Sequence, residues 1–180
     1  MSEPYAVVLE TERLLLRRLV MDDLNDLFAL YRDPEIRKYF PEGVLTLEET
    51  QEELEWHKDG HPKFPELGLW ATIHKETGKF IGRCGLLPWE IEDKLEIEIA
   101  YLLDKSFWHQ GLGTEAARGI LAYGFEKLNL SRLICLIGPD NIPSQKVAER
   151  IGMTRERKVE GIVADNYPTL IYSINKAGHV

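Results

Sequence analysis

Apolar and charged side chains alternate along residues 95–103, where Ile97, Ile99 and Tyr101 are interleaved with Glu96 and Glu98. That period of two predicts a strand with one face toward a core. Beyond Gly113 the period lengthens, and Ala117, Ile120, Leu121, Gly124 and Leu128 fall on one helical stripe. The switch from strand to helix lands on Gly111-Leu112-Gly113. A helix starting there presents unpaired N–H groups and the positive end of its dipole, a combination that binds phosphate or another anion. Glycine lets a ligand reach that backbone and tolerates φ > 0. Alone, such a pair of glycines is as readily a turn as a binding loop. It lacks the third glycine of a dinucleotide fingerprint and the Gly-Lys-Ser/Thr of a Walker loop, so both readings are disfavoured.

The same patterning lays out the remaining elements. Arg13–Leu19 is a first strand, and Asp22 or Asp23 caps a helix with Leu24, Leu27, Phe28 and Tyr31 on its apolar face. Asp33-Pro34 interrupts that helix, a short second helical piece is expected over Glu35–Tyr39, and Pro41 and Gly43 mark a loop. Thr46 and Glu49 have capping-box spacing and open a helix made acidic by Glu48, Glu49, Glu52, Glu53 and Glu55. Such a run is ordinarily a solvated face; attraction of a cationic substrate is the sharper reading. His57–Pro65 reads as a loop. His57 and His61 are four apart, but Gly60 and Pro62 break the helix that would align them, and no metal site is expected. Leu67–His74 and Phe80–Leu87 form a hairpin around Gly78, and Pro88–Asp93 connects to the strand at Leu95, which completes an antiparallel meander. Arg132–Ile137 has the continuous hydrophobicity of a buried strand, expected beside the strand through Glu98 and parallel to it. Pro143 starts a helix that carries Val147, Ala148 and Ile151 and ends at Gly152. Met153–Val159 and Tyr167–Ile174 make a final strand pair. The order is β-α-α-α-β-β-β-α-β-α-β-β, an α/β (α+β) chain with a mixed, mostly antiparallel sheet of about seven strands.

With 180 residues the chain is expected to form a single domain, residues 1–180, around one core. The net charge of −8 argues against a nucleic-acid partner and leaves room for a cationic substrate such as an amine, with solubility as the plain alternative. Cys84 and Cys135 lie in apolar runs and read as buried thiols, which fits a reducing, cytoplasmic setting. Neither a signal peptide nor a membrane span is expected.

Four ordered motifs resemble the GNAT superfamily of N-acetyltransferases, and within it the RimJ/RimL-like branch that acetylates ribosomal-protein N-termini. They are the opening Thr11–Leu19 followed by Asp22-Asp23, the strand Glu98-Ile99-Ala100-Tyr101, the loop and helix Trp108-His109-Gln110-Gly111-Leu112-Gly113-Thr114-Glu115-Ala116, and Asn141-Ile142-Pro143-Ser144 with Glu149–Met153 after it. Trp108 stands where the wider superfamily often has Arg or Gln, an aromatic that the named branch commonly shares.

The resemblance implies a GNAT-like acyl-CoA N-acyltransferase fold with acetyl-CoA as co-substrate and no metal. Its pyrophosphate would lie on the backbone of Gln110, Gly111, Leu112, Gly113 and Thr114, flanked by Trp108 and His109. Its pantetheine would pair with strand residues near Leu102 and Leu103 and with Asn141, where members of the family splay two parallel strands. An amine would attack the thioester directly. Glu98 is the implied base, against the plain reading of a polar residue on an open sheet face. Ser144 is the implied acid for the leaving thiolate, or else a hydroxyl that caps a helix or contacts CoA. Glu115 reads as a partner of the helix dipole. The implied acceptor is a protein or peptide N-terminus; a small amine such as a polyamine or antibiotic, and a non-catalytic acyl-CoA sensor, are the alternatives. A homodimer through the last strands is a further family-level expectation.

Overall fold

The structure is a computed structural model that describes residues 5–177. Its framework is a single eight-stranded sheet. The strands are β1 (Val7–Glu10), β2 (Leu14–Arg18), β3 (Gly68–His74), β4 (Lys79–Ile91), β5 (Lys94–Leu103), β6 (Arg132–Ile137), β7 (Thr154–Glu160) and β8 (Pro168–Asn175). They lie in the order β1-β2-β3-β4-β5-β6-β8-β7. Neighbours are antiparallel except β5 and β6.

Four helices cover the two faces: α1 (Leu24–Tyr31), α2 (Leu47–His57), α3 (Leu112–Glu126) and α4 (Ile142–Arg150). The alternation along β5 divides the core between them. Ile97, Ile99 and Leu103 join Leu112, Ala116, Ala117 and Ile120 of α3 and Ala148 of α4. Ala100 and Leu102 point to the other face and join Leu27, Leu30 and Tyr31 of α1 and Leu54 of α2. Glu98 shares that second register, so the period of two delivers it to the face covered by α1 and α2.

The Thr46 cap follows the sequence, whereas Asp23 opens α1 with no side-chain cap, its carboxylate turned to Arg17 and the Val20 N–H. Thr46 Oγ1 accepts from the Glu49 N–H at 3.2 Å while the Thr46 N–H donates to Glu49 Oε2 at 2.7 Å, a closed capping box. Asn141 Oδ1 accepts from the Ser144 N–H at 3.2 Å and caps α4.

The structure corrects four expectations. The sheet has eight strands rather than about seven, because Val7–Glu10 pairs with β2. Glu35–Tyr39 forms turns rather than a helix. Arg37 there bonds the Gly43 carbonyl, so the segment wraps around its own loop. His57 closes α2 rather than lying in a loop. Its Nδ1 accepts from the Leu69 N–H at 3.4 Å, which docks the helix end on β3. Pro88–Asp93 is not a connector: β4 continues to Ile91, with Pro88 opposite Ile97 and the reversal confined to Glu92 and Asp93, both at positive φ. No helix of the described residues is long and apolar enough to cross a membrane.

Candidate active site

Strands β5 and β6 pair at a single position, Glu98 opposite Ile134. The other neighbours pair over three to ten positions. Beyond that one rung the strands part, and the N-termini of α3 and α4 sit at the opening. On one side lies a cleft of about 490 Å³. Leu102, Leu103, Trp108, His109, Gly111, Leu112, Gly113, Thr114, Asn141 and Ser144 all line it. Gln110 does not; its side chain turns back to the Ser106 carbonyl.

The cleft's loop is held from outside. Gly111 is the N-cap of α3 at φ 78°, and His109 before it is also left-handed at φ 62°. Arg13 donates to the Gln110 carbonyl at 2.9 Å. Glu115, in the first turn of α3, accepts from the Thr11 hydroxyl at 2.6 Å, the Arg13 N–H at 2.7 Å and Arg13 Nε at 2.6 Å. Those donors hold its carboxyl below the usual range despite its partial burial. Glu115 is thus a clamp between the N-terminal segment and the loop, in addition to a dipole partner. Trp108 Nε1 donates to the Leu103 carbonyl at 2.9 Å and ties the loop to the end of β5. Gly113 has ordinary helical geometry, and a Cβ there would meet protein only at 3.9 Å. Lys38, Lys146 and Arg150 stand along the cleft, while its one acid, Glu35, is paired with Lys105. A chain of net charge −8 therefore turns a basic rim and a helix N-terminus to this cleft.

Behind the split lies a second cavity of about 480 Å³. Glu98 is in its wall, with Trp89, Arg83, Arg37, His57 and Cys135. Trp89 Nε1 donates to Glu98 Oε2 at 2.7 Å. Burial pushes the Glu98 carboxyl up to about 7, against the opposing pull of Trp89 and Arg83. Its strand neighbour Glu96 is instead engaged by Arg132 Nε at 3.0 Å. The same burial drives His57 down to about 4, so its ring is uncharged at neutral pH. The two cavities share Tyr101, Asn141 and Ser144. The Tyr101 hydroxyl lies 2.8 Å from Ser144 Oγ and donates to the Ser144 carbonyl at 3.0 Å. A carboxyl tuned near neutrality thus lines one cavity, a helix N-terminus with basic side chains lines the other, and Tyr101, Asn141 and Ser144 are in the wall of both. This is the arrangement for moving a proton off a nucleophile in one cavity while a phosphate-bearing reactant occupies the other.

Residues 13–154 match the family described as the acetyltransferase (GNAT) domain. The chain belongs to the GNAT acetyltransferase family. A relative in Bacillus subtilis, the uncharacterized protein YkkB, is 36% identical over 146 residues, covering 81% of this chain and 84% of its own. An acetyltransferase structure from Agrobacterium tumefaciens superposes with a TM-score of 0.78 at 28% identity, covering 98% of this chain and 96% of that one. RimL, a ribosomal L7/L12 alpha-N-protein acetyltransferase solved in complex with coenzyme A, shares the GNAT fold with a TM-score of 0.75 at 18% identity, over 94% of this chain and 97% of its own.

Some residues of this GNAT site escape sequence reasoning. Tyr101 reads as one more apolar position of β5, yet its hydroxyl reaches Ser144. Trp89 lies in a stretch that reads as a connector, and the cross-strand register that sets it by Glu98 is visible only once β4 is known to continue. Arg83 and Arg37 carry no motif. A charged residue inside the apolar run Phe80–Leu87 was the one available signal for Arg83.

Proposed function

We propose that the protein transfers the acetyl group of acetyl-CoA to a primary amine, and that the amine is a peptide or protein N-terminus. The observation that carries this is the junction of the two cavities at the β5–β6 split. The cleft supplies what acetyl-CoA needs: α3 N–H groups and basic side chains for its phosphates, and for its amide groups the edge of β5 near Leu102 and Leu103 that faces away from β4 and that β6 does not pair. The neighbouring cavity supplies a base. Glu98, Gly111, Gly113, Asn141 and Ser144 take these roles in the proposal.

The step balances without a covalent enzyme intermediate. The neutral amine nitrogen bonds to the acetyl carbonyl carbon, the carbon–sulfur bond breaks, and the amine proton passes to Glu98. Sulfur leaves as a thiolate; with a thiol pKa of about 8.5 it needs little help, and the Ser144 and Tyr101 hydroxyls are placed to hydrogen-bond it. RimL, which shares the fold, acts on a protein α-amine, and this supports a peptide N-terminus as the acceptor here.

Thermal unfolding with and without acetyl-CoA, run beside thiol release against peptides and small amines, tests the reading. Ligand binding to the native state alone raises the midpoint, so stabilisation and peptide-dependent thiol release are expected. Absence of both at saturating acetyl-CoA overturns it. Turnover of small amines only would keep acetyl transfer and discard the peptide acceptor.

A further inference from the structure

We propose that the acceptor carries a carboxylate as well as the amine that is acetylated, and that Arg83 and Arg37 hold it. This rests on the acetyl-transfer reading and adds the chemical class of the acceptor. Arg83 is 5% exposed and Arg37 3% exposed. Charged side chains buried this far are ordinarily paired. Here the pairing is incomplete. Arg83 Nε donates to the Tyr31 hydroxyl at 2.8 Å, and among the described residues no carboxylate oxygen lies within 4.0 Å of its guanidinium. Its terminal nitrogens have no partner among those residues and are not sealed in protein; the residue lines the cavity. Arg37 Nε donates to the Gly43 carbonyl at 2.8 Å, and its nearest carboxylate, Glu42 at 3.7 Å, has a side chain 51% exposed to solvent.

The two guanidiniums share the same two aromatic rings. Arg37 stacks 4.2 Å and Arg83 5.5 Å from the Phe40 ring centroid, and both also face Tyr31. Burial and the charge of Arg83 lower the Arg37 pKa, the mark of like charges brought together. Glu53 offsets part of their charge through the Tyr31 hydroxyl that it shares with Arg83, Glu42 is at the rim, His57 is uncharged, and Glu98 lies opposite Leu87, four residues along β4 from Arg83. Two guanidinium forks with free N–H groups, both in the wall of one cavity, fit a carboxylate.

The register sets the acceptor's shape. Glu98 lies opposite Leu87 on the face that also carries Arg83. Four residues of β4 separate those positions, roughly 13 Å of backbone at 3.3 Å per residue. An amine presented to Glu98 and an acid presented to the arginines therefore belong to one elongated molecule. The chain's overall acidity suggests a cationic acceptor; the free N–H groups of Arg83 and Arg37 add a place for an acid on the same molecule. A peptide N-terminus with Asp or Glu near its start and a free ω-amino acid share this chemistry.

The test is wild-type kcat/KM over matched acceptors with acetyl-CoA. One arm is tetrapeptide amides beginning Ser-Glu, Ser-Ala and Ser-Lys; the other is 5-aminopentanoate against pentylamine. At least a tenfold preference for the acid is expected in one arm, and that arm identifies the source. Arg37→Gln is expected to reduce the preference at least fivefold, with the unfolding midpoint recorded alongside. Arg83→Gln repeats the test if that variant folds. Equal or poorer turnover of the acids overturns the inference and leaves acetyl transfer standing. Acetyl-CoA binding without turnover of any carboxylate-bearing amine overturns it too. Loss of both acetyl-CoA stabilisation and thiol release would instead remove the reading beneath it.

Discussion

The cleft and the cavity behind it are nearly equal in volume, about 490 Å³ and about 480 Å³, and are built in opposite ways. The cleft is drawn from two short stretches, residues 101–114 and 141–150, with one further contribution from residues 35–40. The cavity is mostly side chains, and residues from 37 to 169 contribute to it. A phosphate-bearing reactant presents the same groups to every protein that binds it, so a helix N-terminus and two glycines suffice. An acceptor differs from enzyme to enzyme, and its wall is assembled from residues remote in sequence. Local spacing therefore reports the first cavity, and tertiary contacts report the second.

The largest expected effect falls in the acceptor cavity. Glu98→Gln is expected to lower kcat/KM at pH 8 by roughly 10²-fold, the usual scale for a general base. A solvated carboxylate would help most in mildly acidic solution. Burial moves Glu98 to about 7, so wild-type activity should climb through that pH while the variant shows no such limb. The stability sign is opposite: a carboxyl raised in the folded state favours folding at low pH, and that contribution is lost as pH rises through about 7. The Gln variant should thus be no less stable than wild type at pH 8. Identical pH–rate profiles would remove Glu98 from the chemistry.

Two glycine substitutions come next and separate binding from folding within the cleft. Gly113→Leu is expected to raise the acetyl-CoA KM by roughly tenfold or more, about 1.4 kcal/mol. Its unfolding midpoint should change little, because protein atoms near a Cβ there are at 3.9 Å. Gly111→Leu must also occupy φ 78°, at a cost of about 1–2 kcal/mol, and should lower both affinity and midpoint. Equal midpoints for the pair would refute this account of the N-cap.

A smaller effect is expected at the clamp. Glu115→Gln keeps the shape but loses charge-assisted bonds, and it should cost about 1 kcal/mol after allowance for the half-exposed Arg13. The carboxyl is held low in the fold, so its stabilisation is present above the ordinary Glu value and is lost as pH falls through the folded one. Midpoints of the variant and wild type should converge in acid. Smallest is Tyr101→Phe, which removes the neutral hydroxyl contacts to Ser144 and should lower kcat a few-fold with acetyl-CoA KM unchanged.

Hydrophobic period was enough for most of the fold. The strand through Glu98, the hairpin at Gly78, the buried parallel strand at Cys135 and both capped helices are where alternation, stripes and caps put them. The exceptions are segments whose conformation is imposed from outside. Val7–Glu10 is short and edge-exposed, and it is a strand because β2 offers partners. Glu35–Tyr39 has helical composition but is held in turns as Arg37 is drawn into the core. Pro88 is tolerated inside β4. In the site, loop residues followed from motif and spacing, whereas Tyr101, Trp89, Arg83 and Arg37 depend on register and packing that no single stretch encodes.

The single rung between β5 and β6 gives the sheet an uneven compliance. Elsewhere rows of backbone bonds lock neighbouring strands against sliding and twisting. Along this seam the two banks are joined mainly by packed side chains, with Arg132–Glu96 at one end and Tyr101–Ser144 at the other. Packed apolar surfaces resist separation yet permit small rotations, so the sheet bends most easily along the line where a long, flexible ligand would thread. Glu98 and Tyr101 ride on one bank, Cys135, Asn141 and Ser144 on the other. Any rotation about the seam would therefore change the distances between these two sets together.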